Sequence, residues 1–162
     1  MGAAGAGKTT VGRALAKRLG WRFVDADDLH SPANVAKMTR GIPLDDADRT
    51  PWLAQVHAVM TDAADRSEDL VVACSALRER YRSDLAEGVR PLRWVFLQAP
   101  RALLHERLSL RRGHFAGPEL LDAQLAALEP PIDAMTIDAG QPVLTVVDAI
   151  WRWLRRTDDS SA

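Results

Sequence analysis

Short apolar, β-branched runs alternate along this chain with longer stretches in which apolar residues return every three or four positions. The first pattern reads as buried strand, the second as amphipathic helix. On this basis strands are expected at residues 22–25, 70–73, 93–97 and 135–138. Helices are expected at 8–19, 32–39, 48–65, 76–87, 101–110, 119–127 and 142–156. In the last of these Val143, Val146, Val147, Ile150 and Leu154 fall on one face and should meet the sheet. Strands alternating with helices predict an α/β fold with a parallel sheet flanked by helices. There is no internal repeat. The polar tail at 157–162 is expected to fray, which leaves one domain over 1–156.

Composition narrows the function classes. A chain of 162 residues has the size of one domain, and 47% hydrophobic with 27% charged residues is the balance of a globular protein. The net charge of −1 gives no general pull toward nucleic acid or an anionic membrane. Any bound anion must be met by local positive groups. Cys74 is the only cysteine, so no intrachain disulfide or cysteine-based zinc cage can form. A reducing cytoplasm is the expected location. No apolar run approaches the roughly 18 residues of a membrane span. The five tryptophans, Trp21, Trp52, Trp94, Trp151 and Trp153, are expected mainly to pack.

The first chemistry-bearing motif is Gly2-Ala-Ala-Gly5-Ala-Gly7-Lys8-Thr9, which fits the phosphate-binding pattern G-x-x-x-x-G-K-[ST]. Glycines let the backbone curl until its N–H groups, Thr10 included, face phosphate oxygens, and the helix that follows offers its positive dipole end. Lys8 is placed to reach the outer phosphates of ATP, and the Thr9 hydroxyl to ligate Mg²⁺. Such a loop ordinarily follows a buried strand, yet Gly2 is the second residue. The first, central strand is therefore expected to be missing from this chain, with a gap between the strands at 70–73 and 93–97.

The strand at 22–25 ends in acids, Asp25 and Asp27, at the carboxyl end where open α/β sheets bind ligands. Two residues apart, they share a facing. One suits a metal held through water and the other a base toward an attacking hydroxyl. A plain turn and helix cap is the bland alternative. Further on, His30, Lys37, Arg40 and Arg49 gather polar and cationic groups that suit an anionic, hydroxyl-rich acceptor. Taken singly, Lys37 and Arg40 also read as solvated charges, and His30 as a packing histidine.

These residues, with Asn34-Val-Ala-Lys37-Met38, Gly41-Ile-Pro-Leu44, Asp48-Arg49-Thr-Pro-Trp52-Leu53, Cys74-Ser-Ala-Leu77, Tyr81-Arg82, Arg111-Arg-Gly-His114-Phe115, Gln124 and Leu128-Glu-Pro130, resemble the bacterial thermoresistant-type gluconokinases. The likeness runs from Gly2 to about Val147. It implies the nucleoside and shikimate kinase fold, with a five-stranded parallel sheet, an acceptor region at about 30–66 and a lid at about 109–119. It also implies transfer from ATP to D-gluconate, giving ADP and 6-phosphogluconate. Many relatives are dimers, so a homodimer is a further implication. Alanines at 3, 4 and 6, Ser83, and the lid residues Ala116, Ala123 and Leu125 depart from the family pattern.

The remaining site residues follow. No acid ends the strand at 70–73, which leaves the metal and base roles to Asp25 and Asp27. Ser75 should meet the acceptor or the Mg²⁺ shell, and Cys74 reads as packing. Arg78 and Arg82, four apart, suit the gluconate carboxylate, or else a solvated basic face. In the lid, Arg111 and Arg112 are candidate donors to the transferring phosphoryl group, and His114 orders the lid or meets the acceptor. By analogy with related kinases Arg107 stacks on adenine, and the loop with Gln141 borders it. A shikimate-kinase-like enzyme, or a truncated nucleotide-binding module without activity, are the competing readings.

Overall fold

The computed structural model describes residues 1–110 and 120–159, with side chains to 156. Helix α1 (Lys8–Leu19) starts at Gly7 and stops at Gly20, whose left-handed backbone caps its end. It leads into β1 (Arg22–Asp25), a 3₁₀ turn (Ala26–Leu29), α2 (Pro32–Thr39) and α3 (Asp46–Asp65). Then come β2 (Leu70–Ala73), α4 (Glu79–Ala86), β3 (Val95–Gln98), α5 (Arg101–Leu110), α6 (Leu121–Ala127), β4 (Met135–Asp138) and α7 (Val143–Asp159). No described helix is long and apolar enough to cross a membrane.

The strands form two parallel pairs. β1 lies beside β2 with Arg22 opposite Leu70, and β3 beside β4 with Val95 opposite Met135. The pairs do not hydrogen-bond to each other. Between them lies Met1. Its amine donates to the Val95 carbonyl at 2.6 Å, its carbonyl accepts from Leu97 N–H at 3.0 Å, and Gly2 N–H donates to the Ser75 carbonyl at 3.3 Å. Met1 and Gly2 stand between the β3 side and the end of β2. The five-stranded sheet implied by the resemblance is thus four described strands in two halves.

Two apolar clusters hold the helices on these strands. One joins α1, α5, α6 and α7 to β3 and β4 through Leu15, Leu104, Leu121, Val146 and Ile150. The other joins α3 and α4 to β2 and β3 through Trp52, Val56, Leu85 and Phe96. On α7 the expected apolar face is buried except for Val143, which stands at the helix start and is exposed. α1 approaches β1 closely at Gly12, where a Cβ would come within 2.7 Å of the Phe23 ring. A larger residue there would force the Phe23 ring or the helix bearing the phosphate loop to shift.

Five elements differ from the expected ones. α6 starts at Leu121, two residues late, and α7 runs Val143–Asp159, into the tail expected to fray. β3 begins two residues later than expected, at Val95. The helix expected from 76 starts only at Glu79, because Ala76 adopts a left-handed φ of 43° and Arg78 is extended. The chain from Cys74 to Arg78 is therefore an irregular loop over the sheet edge. α3 starts two residues earlier than expected, because Asp45 and Asp48 form a reciprocal capping box.

Candidate active site

A cleft of about 590 Å³ opens over the carboxyl ends of the strands, as expected for an open α/β sheet. The glycine-rich loop forms one end of it, from Ala4 through Thr10. Gly5 has φ of 82°, and a Cβ there would lie 2.7 Å from the Leu104 carbonyl. Only glycine lets the loop curl this tightly against α5. Gly7, at the start of α1, gives no side-chain cap, so the first N–H groups of α1 are left for a ligand. Lys8 Nζ donates to the Ala3 carbonyl at 3.2 Å, which folds the ammonium back over its own loop.

The acidic pair is arranged differently from the two-residue alternation read from the sequence. Asp25 ends β1, and its carboxylate turns inward. It accepts from Thr9 Oγ1 at 2.7 Å with one oxygen and from Asp27 N–H at 3.2 Å with the other. Asp25 is buried behind the cleft wall. Asp27 lies on the 3₁₀ turn that Asp25 caps, and it does line the cleft. Strand and turn thus separate the two carboxylates: one anchors to the phosphate loop and the other faces the open space.

Opposite the loop, α3 and the 74–78 segment supply the second end of the cleft. His30, Arg49, Trp52, Ser75, Arg78 and Tyr81 all line it. Trp52 is buried; its Nε1 donates to the Ala26 carbonyl at 2.6 Å, immediately before Asp27. Burial pushes the His30 imidazole below its usual pKa, against a smaller upward pull from Asp27. Arg107 and Gln141 line the remaining side of the cleft, beside the loop.

Four expected site residues stand elsewhere. Gly2 sits under the loop, bonded to Ser75, and Asp25 is the internal anchor just described. Lys37 is bound by Asp48 through both carboxylate oxygens at 2.6 and 2.7 Å, which raises the lysine pKa and lowers that of the aspartate. That pair ties α2 to α3 outside the cleft. Arg82 is buried and donates to the Ala76 and Leu77 carbonyls at 3.1 and 3.2 Å. It holds the irregular loop in place and does not reach the cleft. Cys74 is also buried, and burial raises its thiol to about 11, so it packs as expected. Arg111, Arg112 and His114 lie outside the described residues.

The comparisons with known proteins agree with this geometry. A family model described as an AAA domain matches residues 1–131. A gluconokinase of Gluconobacter oxydans is 47% identical over 146 residues, covering 90% of this chain and 79% of its own. The crystal structure of a gluconokinase from Sinorhizobium meliloti superposes with a TM-score of 0.85 at 41% identity, covering 99% of this chain and 91% of that one. The chain belongs to the gluconokinase family. A sugar kinase structure from a Janibacter species, at 40% identity and a TM-score of 0.88 over 96% of this chain and 91% of that one, adds to the same placement. The fold is that of the P-loop kinases, and the chain is a kinase acting on a small molecule.

Within that family frame, the structure adds residues that the sequence did not single out for the site. Gln124 of α6 lines the cleft and accepts from Ala4 N–H at 2.7 Å, across 120 positions of chain. Tyr81 stands in the acceptor wall, and Asp46 behind it carries two arginines. Tyr81 and Gln124 enter the sequence reading only as residues of the family likeness, without a role, and Asp46 not at all; their positions come from long-range packing.

Proposed function

We propose that this chain moves the terminal phosphoryl group of ATP to the 6-hydroxyl of D-gluconate, in the cytoplasm. The observation that carries the reading is a single cleft with a phosphate loop at one end and Asp27, His30, Arg49 and Arg78 at the other. The first end fits a nucleotide: a glycine-built cradle, unused N–H groups at a helix start, and a lysine above them. Thr9 offers a hard hydroxyl oxygen at the loop, with the Asp25 carboxylate directly behind it, a donor set that would suit Mg²⁺ better than a soft metal. When bound there, ATP supplies the phosphoryl group and Mg²⁺ supplies charge for the phosphate oxygens.

The chain's own residues do the rest. Lys8 and the N–H groups of Gly5, Gly7, Thr9 and Thr10 hold and neutralise the phosphates. Asp27, at the cleft surface, accepts the proton of the attacking hydroxyl as the new oxygen–phosphorus bond forms and the nucleotide diphosphate departs. His30 and Ser75 meet hydroxyls of the acceptor. Arg49 and Arg78 face its carboxylate, a role for which a planar guanidinium fits well. Arg107 and Gln141 border the nucleotide base. Arg111 and His114, outside the described residues, are assigned by the family likeness to the transferring phosphoryl group and the acceptor.

Initial rates of ADP release across gluconate, shikimate, glycerate and nucleoside monophosphates test the assignment. Gluconate should give the highest kcat/KM by at least about 100-fold, the discrimination available when buried polar groups must be matched. A higher kcat/KM for any other acceptor in the panel would sink it.

A further inference from the structure

Tyr81 sits among three arginines and one carboxylate. Its hydroxyl donates to Asp46, and accepts from Arg49 and Arg80, each at 3.4 Å. Asp46 also takes Arg78 at 3.4 Å and pairs closely with Arg80. The guanidinium carbons of Arg49, Arg78 and Arg80 lie 5.8, 5.8 and 5.0 Å from the Tyr81 ring centroid. Arg49, Arg78 and Tyr81 line the cleft, whereas Asp46 and Arg80 stand behind that wall. The cluster ties the first turn of α3 to the start of α4.

Three guanidiniums this close repel one another, and long arginine side chains are otherwise free to swing into water. One carboxylate behind them holds the group together yet cancels only part of its charge. The remaining positive charge faces the cleft. Hydrogen bonds from Arg80 and Tyr81 hold the Asp46 carboxyl down at about 2, so it stays ionised at any working pH.

We propose that Asp46 and Tyr81 are positioning residues that fix Arg49 and Arg78 as a paired receptor for the acceptor's carboxylate, and so select acids over neutral polyols. The inference rests on the sugar-acid reading above. Its electrostatics give it a distinctive sign. Asp46 is a negative charge near a site for an anion, so a pure field effect predicts that Asp46→Asn tightens gluconate binding. Loss of positioning predicts the reverse.

Asp46 and its arginine partners are exposed enough that Asp46→Asn should fold, and Tyr81→Phe removes only a hydroxyl from a buried ring. Circular dichroism and melting confirm that before kinetics. With MgATP saturating, Asp46→Asn should raise the KM for gluconate about tenfold and Tyr81→Phe about three- to fivefold, a modest misplacement penalty. The kcat should stay within about twofold, and the KM for ATP should not move. Gluconamide, the neutral amide, serves as a competitive inhibitor, and its inhibition constant should change by less than about twofold. A KM for gluconate that is unchanged or lower in Asp46→Asn overturns the proposal. So does an equal loss for gluconate and gluconamide, which would mark a merely structural role. If the wild type prefers another sugar acid, only the gluconate assignment fails, and the same comparison on that acid and its amide decides this one. A wild type that prefers a neutral acceptor overturns both.

Discussion

Trp52 lies face to face with His30, their ring centroids 4.4 Å apart and their planes 12° from parallel. The same indole donates to the Ala26 carbonyl, so one side chain fixes both the imidazole and the turn that carries Asp27. A group on a rigid turn keeps the geometry that proton transfer needs. Trp52→Phe keeps a ring against His30 but loses the bond to Ala26. We expect kcat/KM to fall about tenfold with a stability loss of about 1–2 kcal/mol, the net of one buried hydrogen bond. Unchanged kcat/KM would show that the turn holds itself.

The stack also sets a pH signature. The fold favours neutral His30, so its pKa lies below the ordinary 6.5. The unfolded chain then binds more protons than the folded one just below pH 6.5, and the stability this histidine contributes is lost as pH falls through that window. An NMR titration should place the His30 midpoint below 6.5, and Trp52→Leu should move it back toward 6.5. A midpoint at or above 6.5 in the wild type contradicts the buried stack.

Arg78 and Arg82 separate function from support. Arg82 is buried on two carbonyls of the 74–78 loop, whereas Arg78 faces the cleft. Arg82→Met strands those carbonyls and should cost about 2–4 kcal/mol in denaturant unfolding. Arg78→Met should change stability by less than about 0.5 kcal/mol and raise the KM for gluconate about tenfold or more. An Arg82 variant of normal stability with selectively weakened gluconate binding would return that residue to the acceptor site.

This pair also shows where the sequence stops being legible. Reading them on one face assumed a helix from residue 76, but Ala76 is left-handed and the helix starts at Glu79. A positive φ at a non-glycine residue carries no signal in the chain. By contrast α1 ends, and α2 and α5 start, where expected, because Gly20, Ser31 with Pro32, and Pro100 punctuate them locally. The phosphate loop, Asp27, His30, Arg49 and Ser75 were readable as motif residues. Lys37 reads either as an acceptor contact or as a solvated charge; its pairing with Asp48, 11 positions away, is set by the fold. Asp46 and Tyr81, 35 apart, and Ala4 and Gln124, 120 apart, meet only through the fold.

Lys8 and Asp27 should be dispensable for folding, since neither belongs to the apolar clusters. Lys8→Ala and Asp27→Ala should each lower kcat about 100-fold or more while the melting temperature changes little. Asp27→Asn keeps the shape and removes the base, so it should be as slow as the alanine variant. An Asp27→Asn enzyme with near-normal turnover would place proton acceptance on another group.

The central claim is tested most directly by following phosphorus. With equimolar ATP and gluconate and excess Mg²⁺, ³¹P NMR should show the γ-phosphate signal replaced by a phosphomonoester coupled to the C6 protons of gluconate, with ADP formed in equal amount. ADP accompanied only by inorganic phosphate, or a monoester on another carbon, would contradict the account.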